Sequence, residues 1–245
     1  MLGKAAALLF SFSADDTHLT LVELTQRTGL AKSTVHRLAA DLVALRLLDR
    51  DEAGYRLGGQ LFELGMRASI ERGLLEVATP FLEDVYERTH ETVHLGVLEG
   101  TEVVYVAKIG GHRQASTPSR IGGRMPLHCT GLGKAFLAWS PRTLLDEVVA
   151  QGLERRTPRT ITGAGLLRRQ LDQVVEQGVA YEHEESAPGI VCVAAPVLDA
   201  SDRPIAAVSA TGPVARFKPE SHAAQVRAAA AGIAATLARR DEMTR

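Results

Sequence analysis

Only two cysteines, Cys129 and Cys192, occur in 245 residues. So sparse a set builds no disulfide framework and fits a reducing, cytoplasmic location. Aromatic residues are scarce too, at 4 %, so aliphatic side chains must build the core. No charge sign dominates: 28 Lys and Arg face 29 Asp and Glu, a formal charge of −1. That balance excludes a uniformly basic protein and confines any nucleic-acid affinity to a local patch. No apolar run reaches the roughly 20 residues of a membrane helix, so no membrane partner is expected. The longest run, Gly189 to Leu198, reads as a buried strand. At the start, Lys4 and the apolar stretch Ala5 to Phe10, followed by Ser11 to Ala14, have the outline of a short signal peptide. A single Lys is a weak charged region, and the stretch serves better as the first helix of a helical module. What remains is an ordinary globular composition, 45 % apolar and 23 % charged, with length for one large or two modest domains.

The chain divides in two. In the N-terminal third, a first helix over about 3–13 places Ala6, Leu9 and Phe10 on one face, with Asp15-Asp16 ending it. A second covers about 21–28 and stops at Gly29, a left-handed C-cap position. A third runs from Lys32 to about Leu45, with Val35, Leu38, Leu42 and Leu45 at helical spacing. Leu47 to Arg50, a turn at Asp51 to Gly54, and Tyr55 to Leu57 give a hairpin signal. After Gly58-Gly59, a helix from Gln60 to about Arg72 carries Leu61, Phe62, Leu64, Met66 and Ile70, a broad apolar stripe for a linker that also packs on a partner. From Leu74 the pattern changes. A helix over about 74–89 turns Val77, Phe81, Leu82, Val85 and Tyr86 inward. Strands follow at about 92–98 and 102–109, then a loop from Gly110 to Pro126. Helices are expected near 131–139, 141–151 and 163–177, strands near 179–184, 190–199 and 204–212, and a closing helix over about 219–240. Hairpin-connected strands with helices grouped around them make an α+β domain. The division is thus 1–59, a linker helix at 60–73, and 74–245.

The first third has the spacing of a helix-turn-helix. Counting from Leu21, glycine falls at the ninth position (Gly29), in the sharp turn. Apolar residues fall at the fourth (Leu24), tenth (Leu30), fifteenth (Val35) and eighteenth (Leu38), where two helices pack at a steep angle. Thr25 stands where a smaller Ala usually permits close approach, and Thr28 where an aliphatic is usual. The third helix opens with Lys32, Ser33, Thr34, His36 and Arg37. Free N–H groups at a helix start, hydroxyls and cations suit phosphate, and side chains in the first turns reach base edges. Arg37 suits guanine and Lys32 phosphate. The hairpin would be a wing, with Arg50, Tyr55 and Arg56 near the DNA backbone. The acids Asp51-Glu52 at its tip point to modest, salt-sensitive affinity.

Two short motifs suggest other chemistry. His90-Glu91-Thr92-Val93-His94 matches H-E-x-x-H, which in zinc hydrolases lies on a helix. Here the alternation Val93, Leu95, Val97 marks a strand, and residues i and i+4 of a strand lie about 13 Å apart, too far for one metal. A helix end capped by a histidine is the plainer reading. Gly131-Leu132-Gly133-Lys134 lacks the earlier glycine and the following Ser or Thr of a phosphate loop, since His128 and Ala135 stand there.

Polar groups enter apolar surroundings at three further places: Gly122 to Gly131, ending at a helix start; Glu182 to Glu185 followed by Gly189 to Cys192; and Ser209 to Gly212. The loop from Gly110 to Pro126, which overlaps the first, holds Arg113, Arg120 and Arg124 and no acid. A concave site with few convergent polar groups suits a small ligand. Nothing marks a base that would activate Cys129 or Cys192 as a nucleophile, and no enzyme activity is expected.

At these stretches the chain resembles the IclR family of transcriptional regulators. The resemblance rests on Leu2-Gly3-Lys4-Ala5, Leu30 to Leu38, Tyr55 to Gly58, Pro126 to Ala135, and Cys192 to Val197, in order along essentially the whole chain. It implies a winged helix-turn-helix, a dimerising linker helix, and a GAF-like effector domain with an antiparallel sheet flanked by helices. It implies a homodimer or homotetramer on pseudo-palindromic double-stranded operator DNA, expected to repress a metabolic or catabolic operon. The small-molecule effector would be an organic or aromatic acid. By similarity its contacts fall on Leu127, His128, Thr130, Gly131, Leu132, Glu182, Cys192, Ser209 and Thr211, with Arg124 nearby. Position 182 is Glu where the family prefers Asp or Ser, and 198 is Leu where an aromatic or His is usual. The longer carboxylate reaches further into the pocket. Glu182, Cys192 and His128 are also open to a metal. The alternatives are a zinc hydrolase using His90, Glu91 and His94, and a sensor-only interaction module.

Overall fold

A capping box starts the second helix of the first unit. In the computed structural model, which describes residues 1–13, 16–65, 67, 69–110 and 117–244, the opening elements are α1 (Leu2–Phe10), α2 (Leu21–Thr28) and α3 (Lys32–Ala44). The Thr20 hydroxyl accepts from Glu23 N–H at 3.3 Å, and the Glu23 carboxylate accepts from the Thr20 N–H at 2.8 Å. Both orphan donors are satisfied within the chain itself. α2 ends on Gly29 at φ 64°, a left-handed conformation that only glycine takes without steric cost. The sharp turn there starts α3 three residues later. Thr25 and Thr28 fit because their hydroxyls fold back onto the Leu21 and Leu24 carbonyls, each at 2.7 Å.

Leu8, Leu19, Leu24, Val35, Leu38, Leu42, Leu48 and Tyr55 close the core of this unit. Two expectations are corrected. α1 stops at Phe10, where the Ser11 hydroxyl donates to the Leu8 carbonyl. It buries Leu8 rather than Phe10, which is exposed. Asp16 does not end the helix; it pairs with Arg27 on α2. Asp15 and Ala14 lie outside the described residues. At the far end of α3, Leu45 is exposed. The hairpin forms as expected: β1 (Leu48–Asp51) pairs antiparallel with β2 (Gly54–Leu57), and Asp51 Oδ1 accepts from Ala53 and Gly54 N–H across the turn.

The expected helix over 60–72 is shorter. α4 covers Gly59–Gly65, buries nothing, and leaves Phe62 and Leu64 exposed. Met66 and the side chain of Ile70 lie outside the described residues. The next helix, α5, runs Ser69–Thr89. α4 therefore ends at Gly65, while Gly73 is carried inside α5 at a propensity cost of about 1 kcal/mol.

Contacts divide the chain into units of residues 1–72 and 73–245. The second unit continues through β3 (Thr92–Glu99), β4 (Glu102–Ile109), β5 (Arg124–Pro126), α6 (Gly131–Trp139), α7 (Arg142–Gln151), α8 (Ala164–Gln177), β6 (Ala180–His183), β7 (Ile190–Leu198), β8 (Pro204–Pro213) and α9 (Pro219–Thr244). The strands form one antiparallel sheet in the order β5-β4-β3-β8-β7-β6. β5 lies within the stretch expected to be loop; its Gly- and Pro-rich neighbourhood hid three residues that pair with β4.

Strand parity sorts the two faces. Val93, Leu95, Val97, Val191, Val193, Val197, Ala206 and Val208 point to one face, where α5 and α9 cover them. The opposite face carries two polar rows set by register. One is Glu182–Cys192–Thr211–Thr92; the other is Ala180–Ala194–Ser209–His94–Lys108. Further along this face, Val103, Tyr105, Ala194 and Ala207 pack with Leu132, Phe136, Leu167 and Leu171 of α6 and α8. A buried side chain of this size contributes roughly 1.5–3 kcal/mol. The sheet is thus hydrocarbon on one side, and on the other it ends in a polar floor beside the start of α6.

Candidate DNA interface and effector site

The two helix starts of the helix-turn-helix differ. α2 is closed by its own capping box, whereas α3 follows Ala31, which offers no side-chain cap. Its first N–H groups stay free for an acceptor from outside. Lys32, Ser33, His36 and Arg37 are exposed there and Thr34 is half-buried. Arg37 stands 4.0 Å from Asp41, one turn on, with both side chains more than half exposed. On the hairpin, Arg50 and Arg56 are exposed, and Arg56 meets Asp49 at 3.1 Å. Tyr55 is corrected: its ring is a core residue, only 4 % exposed, with the Arg50 guanidinium 5.4 Å from its centre. Its pairing opposite Arg50 leaves the cation outermost and the ring beneath it.

In the second unit the polar floor borders a small cavity of about 20 Å³. His94, Tyr105, Ser119, Thr130, Glu182 and Thr211 are among its lining residues. Thr130 caps α6: its hydroxyl accepts from Gly133 N–H at 3.1 Å and donates to the Pro126 carbonyl at 2.9 Å. Glu182 Oε1 accepts from Glu185 N–H at 2.7 Å and Ser186 N–H at 3.0 Å. Burial outweighs those bonds and raises its carboxyl to about 7. Burial also pushes the Cys129 and Cys192 thiols up to about 12 and holds His94 down at about 3. His94 Nε2 shares a 2.7 Å hydrogen bond with the Ser119 hydroxyl, and its ring meets Tyr105 edge-on. Lys108, beside His94 in register, donates to the Thr117 hydroxyl and the Ser119 carbonyl at 2.8 Å each.

The remaining expected residues are placed around this cavity, not all in it. Gly131 faces Cys192, which stands beside Thr211 in register, while the Ser209 hydroxyl meets His94 Nδ1 at 3.4 Å. Leu127 and Leu132 are core residues. Arg124 points to solvent and pairs with Glu102 and Glu99 at 3.5 and 3.9 Å. His128 is turned to another segment, donating from Nε2 to the Glu154 carbonyl at 3.0 Å. Arg113 lies outside the described residues. Among the described residues, no three His, Cys, Asp or Glu side chains gather as a metal-binding group. The H-E-x-x-H motif is split as its alternation suggests. α5 ends at Thr89, His90 takes φ 52°, Glu91 pairs with Arg216 at 2.7 Å, and His94 belongs to β3. In Gly131 to Lys134, Gly133 is a packing requirement: a Cβ there would stand 2.2 Å from the Leu127 carbonyl oxygen.

Two family models match, in the order in which the motifs fall. The IclR helix-turn-helix domain matches residues 1–52, and the bacterial transcriptional regulator IclR C-terminal domain matches residues 67–235. The chain belongs to the IclR family. It is 36 % identical over 234 residues to the HTH-type transcriptional regulator KdgR of Escherichia coli, covering 93 % of this chain and 89 % of that one. It is 30 % identical over 221 residues to the transcriptional repressor IclR of Escherichia coli, covering 88 % and 81 %. Among solved structures, an IclR homolog from Microbacterium hydrocarbonoxydans complexed with 4-hydroxybenzoate superposes with a TM-score of 0.91. It is 32 % identical and covers 98 % of this chain and 99 % of that one. This IclR-family chain is therefore an HTH-type transcriptional regulator with a C-terminal effector-binding domain, in a family of regulators rather than enzymes. None of its described helices is long and apolar enough to cross a membrane.

Sequence reasoning missed His94, Tyr105 and Ser119 as cavity residues of this IclR-family domain. His94 stood out only as half of a metal motif. Its place beside Ser209 needs the pairing of β3 with β8, a long-range register that no local pattern carries.

Proposed function

We propose that this regulator is an effector-responsive repressor that binds two-fold-symmetric operator DNA as a homo-oligomer in the cytoplasm. Residues 1–59 are the winged helix-turn-helix, 60–73 the linker that brings two copies together, and 74–245 the effector domain. Lys32, Ser33, Thr34, His36 and Arg37 meet the operator from the start of α3, and Arg50 and Arg56 brace its backbone from the hairpin. The observation that carries this reading is the uncapped start of α3, next to an α2 that caps itself, with exposed cations in its first turns.

The effector is a small organic acid held near Thr130, Gly131, Glu182, Cys192, Ser209 and Thr211. The relative complexed with 4-hydroxybenzoate supports an acid of that size. At about 20 Å³ the cavity holds about one water, so such a ligand must spread its lining. Spreading couples occupancy to the equilibrium between a DNA-competent and a DNA-incompetent arrangement.

The test is anisotropy titration of the purified chain with its operator. Arg37→Ala should weaken specific binding by about 1–3 kcal/mol and relax preference at one base position in each half-site. Lys32→Ala should weaken all sequences alike and flatten the salt dependence. Unchanged affinity in both variants would count against α3 as the reading helix and favour a sensor-only module.

A further inference from the structure

Lys134 has no exposed surface, yet it is not at the cavity. Its ammonium donates to Glu185 Oε1 at 2.6 Å and to Gln170 Oε1 at 3.0 Å. Glu185 is also buried, and its Oε2 meets no donor among the described residues. Such a pair is weak evidence for stability, because hydrocarbon of the same volume often serves as well or better. Its position explains it better. Glu185 belongs to the turn whose two successive N–H groups, from Glu185 and Ser186, hold Glu182 Oε1. The turn is pinned from a second side, where the Thr160 hydroxyl donates to the Glu185 carbonyl at 2.7 Å and the Thr157 hydroxyl to the Glu184 carbonyl at 2.6 Å. Two N–H groups converge on one oxygen only while that turn keeps one conformation.

We propose that Lys134 and Glu185 are positioning residues for effector recognition: the buried pair fixes the 184–186 turn, and the turn fixes the aim and charge of Glu182 in the cavity. The inference rests on the effector reading of that cavity, but the hold on Glu182 is measurable without any effector. Four titratable groups around Glu182 bring no charge: Cys129, Cys192 and Tyr105 are kept protonated by burial, and His94 is kept neutral. Glu185 and Lys134 are the charges that act on Glu182 most, and Lys108 stands beside His94 on the same floor.

The test is a carbon-13 titration of the glutamate side-chain carboxyls in the full chain, with the Glu182 signal assigned by its loss in Glu182→Gln. The double variant Lys134→Met with Glu185→Met removes both charges. Glu185, which raises the Glu182 carboxyl, acts on it more than Lys134, which lowers it, so loss of the charges alone would lower the midpoint and a rise reports the turn. Loosening two N–H bonds should raise the Glu182 midpoint by about one pH unit. Thr160→Val, which changes no charge and leaves the ion pair intact, should move it the same way by less, and serves if the double variant does not fold. Midpoints equal to wild type in a folded variant would overturn the proposal. The effector reading fails separately, if Glu182→Gln binds 4-hydroxybenzoate or another small acid with unchanged affinity.

Discussion

Gly133 and Gly165 both lie inside helices, in α6 and α8, and the same substitution should move stability in opposite directions. At Gly133 a Cβ would stand 2.2, 2.4 and 2.6 Å from the Leu127 O, Cα and C atoms. Ordinary contact begins near 3.4 Å, so backbone must retreat by about 1 Å, and Leu127 is fully buried with no slack. Overpacking of this kind costs roughly 1–3 kcal/mol, occasionally more, against a helix-propensity gain of about 1 kcal/mol for alanine. Backbone yields less readily than a side chain, so the upper end applies and Gly133→Ala should lose about 2 kcal/mol net. At Gly165 the nearest atom is Arg169 Nη1 at 4.0 Å, and Gly165→Ala should gain about 0.5–1 kcal/mol. The assay is urea unfolding followed by fluorescence. The sole tryptophan, Trp139, closes α6, so the signal reports this helix. A Gly133→Ala midpoint at or above wild type, with unchanged slope, would refute the packing argument.

Three further outcomes follow from the buried groups and the open helix start. Glu182 titrates near 7 in the folded chain against 4.5 for a free side chain. Below 4.5 both states hold the proton. Between 4.5 and 7 the unfolded state loses it first, so stability falls as pH rises, by about 3 kcal/mol in all. Unfolding of wild type and Glu182→Gln across pH 4–8 should show that difference; a flat difference would sink it. Cys129 and Cys192, buried and titrating near 12, should resist a thiol reagent at pH 8 in the native state and react fully in denaturant; rapid native reaction would contradict their placement. Replacing Ala31 with Asp should cap α3 and add local stability while weakening DNA binding through charge at the phosphate site; tighter binding in an anisotropy titration would argue against an open helix start facing DNA.

Local chemistry was legible wherever its cause is local. Gly29 sets the turn after α2, and Gly131 to Trp139 forms α6 with the expected bounds. The alternation Val93, Leu95, Val97 correctly outweighed a metal-binding motif. Sites that depend on tertiary register were not legible. Ser209 and His94 meet across β8 and β3, and period-two patterning says which residues share a face, not which strand lies alongside. Tyr55 was misplaced for a similar reason: the hairpin pairs it with Arg50, but only packing on Leu19 and its neighbours sends the ring inward. Arg124 and His128 sit in the right stretch with side chains turned elsewhere, because Glu102 and the Glu154 carbonyl offer them nearer partners.

The most direct measurement is selection of binding sites from a random duplex DNA pool with the purified full chain. The account expects enrichment of a two-fold-symmetric sequence, lost in Arg37→Ala, with half-sites about one helical turn apart. No enrichment at low salt, or enrichment that Arg37→Ala leaves intact, would contradict the claim that α3 reads the operator.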